Sequence, residues 1–240
     1  MEFRDEMKKA ASDFGTPLED VQLDQLVLYN SLLLEWNQKM NLTAITDPKE
    51  VAVKHMVDSL SAFDASLFRD GMRVIDVGSG AGFPGLALKI YFPSMKMVLL
   101  DSLQKRVKFL ETVVSVLGLS GVVCVHGRAE ETARQKEYRE RFDLALSRAV
   151  ARLSVLSEYT LPFVRVGGSL LALKGAKYAE EMAEAETAAK ILGGGAPTAK
   201  PVKLPGLDDG RAIVRVDKIK PTPENYPRKS GTPEKKPLGQ

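Results

Sequence analysis

The residues best suited to chemistry lie between positions 76 and 85, where one carboxylate precedes a run of glycines. Asp76 lies inside a short apolar stretch that runs from Val74 to Val77, and glycines follow at positions 78, 80, 82 and 85. A strand that leads into a glycine loop and then a helix is typical of a nucleotide-cofactor site. Glycine permits the sharp turn and lets a ligand lie against the backbone. The first helical amides then face the ligand, and Pro84 suits the first turn of that helix.

Two motifs overlap in this stretch and predict different ligands. Residues 80–85 read G-x-G-x-x-G, which is a dinucleotide fingerprint. Read from Asp76, the same segment is D-x-G-x-G-x-G, which resembles motif I of the S-adenosylmethionine-dependent methyltransferases. The carboxylate inside the strand favours the second interpretation, because a dinucleotide site has no use for it there. A purely structural glycine turn is a third interpretation, which three glycines at alternate positions disfavour.

Two further charged residues follow predicted strands. Asp101 lies about 20 residues beyond the glycine loop, where an acidic side chain meets ribose hydroxyls in both kinds of site. Arg148 falls at the carboxyl end of the fourth predicted strand. It is either a ligand for a carboxylate or phosphate, which we favour, or an ion-pair partner of Glu130.

The elements that must position these residues follow an alternating β-α pattern, which predicts a parallel sheet with right-handed crossovers. The chain has 240 residues, of which 44% are hydrophobic, enough for one large α/β domain with an appendage. Residues 1–64 read as a helical cap, 65–219 as the cofactor-binding core and 220–240 as a basic, proline-rich tail. Strands are predicted at 74–77, 96–100, 122–126, 142–147, 169–173, 202–204 and 212–216, with a turn at 166–168.

Composition and charge limit the class of protein. A single cysteine, Cys124, indicates a reducing compartment, and no run reaches the roughly 18 apolar residues of a membrane span. We therefore expect a cytoplasmic protein with no membrane partner and no metal. The net charge of +3 comes from the last 21 residues, which carry five bases and two acids. A neutral body with a basic tail predicts a local contact with a polyanion.

Seven sequence blocks in order resemble the RsmG family of bacterial 16S ribosomal RNA guanine-N7 methyltransferases, also called glucose-inhibited division protein B. The resemblance covers nearly the whole chain. The blocks are LLEWNQKMNLTAI (33–45), HMVDSL (55–60), DVGSGAGFPGLAL (76–88), KRVKFL (105–110), GRAEE (127–131), SRAVARL (147–153) and YPRKSGTPEKKPL (226–238).

The resemblance implies a class I methyltransferase fold: a Rossmann-like seven-stranded sheet with its last strand antiparallel, preceded by a helical cap. It implies S-adenosylmethionine as methyl donor, and as acceptor a guanosine of the 530 loop of 16S ribosomal RNA, guanosine 527, in the small subunit or an assembly intermediate. The donor contacts carried over by motif are Gly78, Phe83, Ala129, Glu130 and Arg148. Asp101 is added as a superfamily expectation.

The segment after the fourth strand bears on mechanism. It reads Ser147-Arg148-Ala149-Val150, and so lacks both the Asp/Asn-Pro-Pro-aromatic tetrad common in amino-group methyltransferases and the Pro-Cys nucleophile of pyrimidine-carbon enzymes. Guanine N7 already has an in-plane lone pair, so we expect direct in-line transfer without a general base. Arg148 then serves alignment.

The remaining candidates are substrate contacts. We expect Asn41, His55 and Asp58 at the base pocket, and Arg228 and Lys229 of the tail on RNA phosphates. The same role could fall to the basic residues of 105–108. The alternatives are another class I RNA methyltransferase, a nicotinamide-dependent oxidoreductase using the G-x-G-x-x-G, or a non-enzymatic RNA-binding module.

Overall fold

The sheet that positions the candidate site has seven strands in the order β3-β2-β1-β4-β5-β7-β6. The computed structural model describes residues 2–239, and the statements below concern these residues. Strands β1 to β5 run parallel, β7 is antiparallel to β5, and β6 is antiparallel to β7. The predicted α/β fold class, with its antiparallel last strand, is therefore confirmed. The strands are β1 (Arg73–Val77), β2 (Lys96–Asp101), β3 (Val122–His126), β4 (Phe142–Arg148), β5 (Val164–Lys174), β6 (Thr198–Pro201) and β7 (Ala212–Asp217).

The three strands that carry the candidate residues are neighbours. β1 lies between β2 and β4, and Val77 at its end is level with Leu100 of β2. The loops after these strands therefore meet at one edge of the sheet, the carboxyl edge, where ligands of doubly wound sheets bind.

Helices cover both faces of the sheet. Before β1 the chain forms α1 (Glu2–Phe14), α2 (Asp20–Met40), α3 (Pro48–Val51), a π-helical segment (Ala52–Val57) and α4 (Asp58–Leu60). From β1 onward it forms α5 (Gly85–Tyr91), α6 (Gln104–Val116), α7 (Ala129–Thr132), α8 (Leu153–Thr160) with a 3-10 turn (Leu161–Phe163), α9 (Tyr178–Ile191) and α10 (Thr232–Lys235). At the start of α3, the Asp47 side chain caps the helix by accepting a hydrogen bond from the Glu50 amide, and Pro48 is the first helical residue.

The N-terminal helices share one hydrophobic core with a face of the sheet. Tyr29 of α2 is fully buried, and its hydroxyl donates to the Ala81 carbonyl in the glycine loop. Trp36 of the same helix packs against Phe109 of α6, with ring centroids 5.7 Å apart. The conformation of the glycine loop is therefore supported from the N-terminal helices as well as from the sheet.

The structure corrects several predicted boundaries. Residues 166–168 form part of β5, not a turn, because Gly167 donates to the Lys218 carbonyl and Gly168 accepts from the Lys218 amide. Residues 202–204 are not a strand; the edge strand is β6, which pairs with β7 through Pro201 and Ala212. Helix α5 begins at Gly85, one residue after the proline expected to open it.

The C-terminal tail lies against the body of the protein. The Arg139 guanidinium donates to the carbonyls of Thr222, Pro223 and Tyr226. Glu158 of α8 is 1% exposed. Its carboxylate accepts hydrogen bonds from both the guanidinium and the backbone amide of Arg228. The tail is thus held by charge-assisted hydrogen bonds rather than by an apolar core of its own.

We also compared the helices with the length and hydropathy needed for a membrane span. None in the described part of the chain is long and apolar enough to cross a bilayer.

Candidate active site

The glycine loop turns back on itself through left-handed residues. Gly78, Gly80 and Gly82 have φ of 75°, 58° and 95°, a region that residues with a Cβ rarely adopt. Asp76 accepts a hydrogen bond from the Gly85 amide at 2.9 Å, which ties the strand to the start of α5. A Cβ at Gly85 would lie 2.6 Å from this carboxylate, so the fourth glycine is required by packing.

Burial has a clear effect on Asp76 itself. The residue is fully buried, and desolvation raises the pKa of its carboxyl from 3.8 to about 7. Its Oδ1 atom has no hydrogen-bond partner within the described residues. Asp76 therefore supports the loop from beneath and does not line the cleft described next.

A cleft of about 350 Å³, here called the glycine cleft, opens above this loop. A smaller pocket of about 110 Å³, here called the Ala129 pocket, adjoins it, and the two share Gly78, Ser102 and Val150. All six residues predicted to contact the donor line one of these two spaces. Gly78, Phe83, Asp101 and Arg148 line the glycine cleft, and Gly78, Ala129 and Glu130 line the Ala129 pocket.

The carboxylates of two of these residues also accept hydrogen bonds from backbone amides. Asp101 accepts from the Gly80 and Leu103 amides, each at 2.8 Å, and so fixes the glycine loop to the end of β2. Glu130 accepts from the Gly231 amide of the tail at 3.0 Å. The tail therefore contacts the same carboxylate that lines the Ala129 pocket.

Arg148 lies at the end of β4 and joins three parts of the chain. Its Nη1 donates to Asp58 at 2.8 Å and to the Lys54 carbonyl at 3.1 Å, and its guanidinium carbon lies 4.9 Å from the Phe83 ring centre. The alternative ion pair with Glu130 is wrong, because Asp58 is the carboxylate within reach. The π-helical segment and α4 place His55 and Asp58 together. Their i, i+3 spacing was the sequence signal for the group that Arg148 joins.

His55 stacks on Phe83, with ring centroids 4.8 Å apart, and its Nε2 lies 2.7 Å from the Thr43 hydroxyl. Burial, helped by the nearby Arg148 charge, lowers the pKa of His55 from 6.5 to about 4. The imidazole is therefore neutral at physiological pH.

Sequence analysis missed Arg211, which completes this network. Its Nη1 donates to the second oxygen of Asp58 at 2.6 Å, and it also pairs with Asp209. Asp58, 6% exposed, thus bridges two guanidiniums. No local pattern marks Arg211, because 153 residues separate it from Asp58.

A second cleft of about 570 Å³, here called the arginine cleft, lies on the other side of this network. It shares His55, Arg148, Ala149 and Val150 with the glycine cleft, so those residues form a common wall. Its other lining residues are Lys54, Asp58, Ala151, Arg152, Leu173, Lys174, Gly175, Glu181 and Arg211.

Three predicted substrate residues lie elsewhere. Asn41 is the left-handed residue that ends α2, with φ of 50°; its neighbours Leu42 and Thr43 line the glycine cleft. Arg228 is committed to Glu158, whereas Lys229 is exposed.

The glycine cleft suits a nucleoside carrying an amino-acid chain. A bare left-handed backbone turn gives close approach, Asp101 and Arg148 supply opposite charges, and Phe83 and Ala129 supply apolar contact. Across residues 2–239, no group of three or more His, Cys, Asp or Glu side chains could hold a metal ion.

Comparisons with known proteins assign the family. Residues 22–204 match the family described as GidB, rRNA small subunit methyltransferase G. The ribosomal RNA small subunit methyltransferase G of Alkaliphilus metalliredigens is 49% identical over 238 residues, covering 99% of this chain and all of that relative. The protein of the same name from an Exiguobacterium species is 52% identical over 224 residues, covering 93% of this chain and 94% of the relative.

Solved structures share the fold at low identity. The S-adenosylmethionine-dependent methyltransferase SibL, in its apo form, superposes with a TM-score of 0.55 at 14% identity, covering 82% of this chain and 76% of its own. The T. thermophilus 16S rRNA N2 methyltransferase RsmC, solved with AdoMet and guanosine, gives 0.50 at 17% identity, covering 71% of this chain and 40% of its own. The family match prefers the methyltransferase interpretation of the glycine motif to the dinucleotide one. The chain belongs to the rRNA small subunit methyltransferase G family of S-adenosylmethionine-dependent enzymes.

Proposed function

We propose that this enzyme methylates N7 of guanosine 527 in the 530 loop of 16S ribosomal RNA, acting in the cytoplasm on the small subunit or an assembly intermediate. Relatives that match almost the whole chain carry the name ribosomal RNA small subunit methyltransferase G, which supports a small-subunit RNA acceptor. The position of the guanosine and the N7 atom rest on the family resemblance and on the chemistry of the cleft wall.

The donor occupies the glycine cleft and the Ala129 pocket in this proposal. S-adenosylmethionine supplies an electrophilic methyl group on a positively charged sulfur. Gly78 and Phe83 bind one end of the donor, Ala129 and Glu130 frame the adenine, and Asp101 receives the ribose. The acceptor base enters the arginine cleft, and Arg148 stands between the two ligands.

The observation that carries the N7 assignment is the state of two groups: His55 in the common wall and Asp58 in the arginine cleft. His55 is neutral because its pKa is lowered to about 4, so it has little proton affinity at pH 7. Asp58 is held by the guanidiniums of Arg148 and Arg211. His55 is therefore a poor base, and N7 needs none, because its lone pair lies in the ring plane. Direct transfer then depends on alignment by Arg148, with His55 and Asp58 shaping the base pocket.

RNA binding draws on exposed cations near the clefts. Extruding the acceptor base from its stack costs a few kcal/mol, and phosphate contacts can offset that cost. Lys229, with neighbouring tail lysines, and the basic first turns of α6 are candidates. Arg228 supports them by docking the tail. Replacing Lys229 by Gln should lower RNA affinity and reduce the slope of log affinity against log salt by about one; an unchanged salt slope would remove the tail from the interface.

Methyl mapping tests the proposal. Purified protein is incubated with radiolabelled S-adenosylmethionine and with either unmodified small subunits or naked 16S RNA, and the labelled site is located by reduction and aniline cleavage, which is specific for N7-methylguanosine. We expect one methyl group at guanosine 527. Label at another nucleotide, or label resistant to aniline cleavage, would overturn the proposed acceptor while leaving the family assignment intact.

A further inference from the structure

A short segment, residues 149–152, separates the two clefts and is here called the strap. Its Val150 side chain packs directly on the glycine loop: a Cβ added to Gly78 would lie 2.5 Å from Val150 Cγ2. Val150 also lines all three spaces. It lines the glycine cleft and the Ala129 pocket with Gly78, and the arginine cleft with Arg148. A valine methyl group therefore occupies the point where the two halves of the donor site meet.

Polar contacts hold the strap in this position. The Lys174 ammonium, at the end of β5, donates to the Ala151 carbonyl at 2.6 Å and pairs with Glu181 of α9 at 2.6 Å. Glu181 in turn accepts from the Leu153 amide, the first residue after the strap, at 2.8 Å. The Lys174 side chain is only 10% exposed, so these bonds are shielded from water.

The strap is also conformationally strained at its first residue. Ala149 has φ of 56°, in the left-handed region that residues with a Cβ rarely adopt. The contacts of Lys174 and the packing of Val150 offset this strain. Loss of either should therefore shift the strap away from the glycine loop.

An elongated ligand that reaches from Phe83 to Ala129 must cross Gly78, where Val150 now lies. We infer that Lys174 is a positioning residue that holds the strap closed over the donor site, and that the donor binds only when Val150 withdraws from Gly78. The apparent dissociation constant of the donor is then raised by the closed fraction of the strap.

The same arrangement links the two ligands. Lys174 and Glu181 also line the arginine cleft, so an RNA phosphate that binds the Lys174 ammonium would release the Ala151 carbonyl. RNA would thereby favour the open strap and raise donor affinity, and linkage requires the donor to raise RNA affinity equally. The first step rests on the donor placement in the proposed function, and the second rests in addition on its RNA acceptor.

Binding of S-adenosylhomocysteine to the full chain without RNA, measured by isothermal titration calorimetry, tests the first step. Val150→Ala should lower the dissociation constant about 10-fold, and Lys174→Met should also lower it. The double variant should lower the dissociation constant by less than the product of the two single fold-changes, because both substitutions act on the same closure of the strap. Val166→Ala, an exposed valine at the opposite end of β5, serves as the matched control.

The outcomes separate the possibilities. Weaker binding by Val150→Ala would mean that Val150 packs on the bound nucleoside, and unchanged binding in both variants would mean that the strap does not meet the donor; either overturns the inference. A urea denaturation midpoint for Lys174→Met shows whether a loss of binding reflects unfolding, and Val150→Ala remains informative in that case. Failure of the RNA assignment would leave these titrations unaffected.

Discussion

His55, in the wall of the glycine cleft, and Asp76, buried beneath the glycine loop, titrate in opposite senses. Burial lowers the pKa of His55 from 6.5 to about 4, and burial raises the pKa of Asp76 from 3.8 to about 7. Between pH 4 and 6.5 the unfolded chain binds a proton at His55 that the folded chain does not. Over the same range the folded chain binds a proton at Asp76 that the unfolded chain does not. His55 therefore makes stability rise with pH, Asp76 makes it fall, and the two slopes largely cancel.

Each group contributes a slope of about 1.4 kcal/mol per pH unit within its window. Asp76→Asn keeps an oxygen for the Gly85 amide but removes the titration. Its free energy of unfolding, relative to wild type, should increase by about 4 kcal/mol between pH 4 and pH 7. The free energy of unfolding of His55→Gln, relative to wild type, should change in the opposite direction and fall by about 3 kcal/mol between pH 4 and pH 6.5.

Urea denaturation followed by far-UV circular dichroism, at half-unit pH intervals from 4 to 7.5, measures these differences. Other carboxylates titrate in all three proteins, so their contributions cancel in the comparison with wild type. If the Asp76→Asn difference is flat with pH, the carboxylate ionises normally and its burial does not have the stated effect. If both differences have the same sign, the argument of opposed titrations is refuted.

Three further predictions concern the ion pairs. Asp58→Asn should lower the free energy of unfolding by about 3 to 5 kcal/mol in chemical denaturation, because Arg148 and Arg211 lose their shared carboxylate; a change below about 1 kcal/mol would contradict this. Arg148→Ala should reduce methyl transfer by about 100-fold or more while Arg211 still neutralises Asp58, and full activity would reject its alignment role. Glu158→Gln should release the tail and accelerate tryptic cleavage after Arg228, whereas an unchanged cleavage rate would show that other contacts suffice.

Local sequence patterns predicted the parallel core well for a physical reason. Each β-α unit from β1 to β4 carries its own signals: an apolar strand, a turn and a helix with one apolar face. Strand β3 matched its predicted bounds, and β1, β2 and β4 each differ only by one terminal residue. The carboxyl-edge position of Gly78, Asp101 and Arg148 follows from that alternation alone.

The errors fall where pairing depends on distant residues. The start of β5 holds two glycines that locally indicate a turn, but Lys218 provides a partner about 50 residues later. Arg211 was missed for the same reason, since only the completed sheet brings the β6-β7 connection to Asp58. The ion pair of Arg148 with Glu130, weighed from sequence as the less favoured alternative, was likewise wrong: Arg148 binds Asp58, and Glu130 binds the tail amide of Gly231.

These contacts change how a loss of activity should be interpreted. Arg148 lines both clefts, yet it also neutralises the buried Asp58 carboxylate, so its removal perturbs alignment and stability together. Of the two clefts, Arg211 lines only the arginine cleft, and it binds the same Asp58 carboxylate. If the glycine cleft holds the donor and the arginine cleft the acceptor, loss of Arg211 must spare S-adenosylhomocysteine binding while weakening RNA use. Comparison of the two arginines therefore separates the two binding sites without altering the glycine loop.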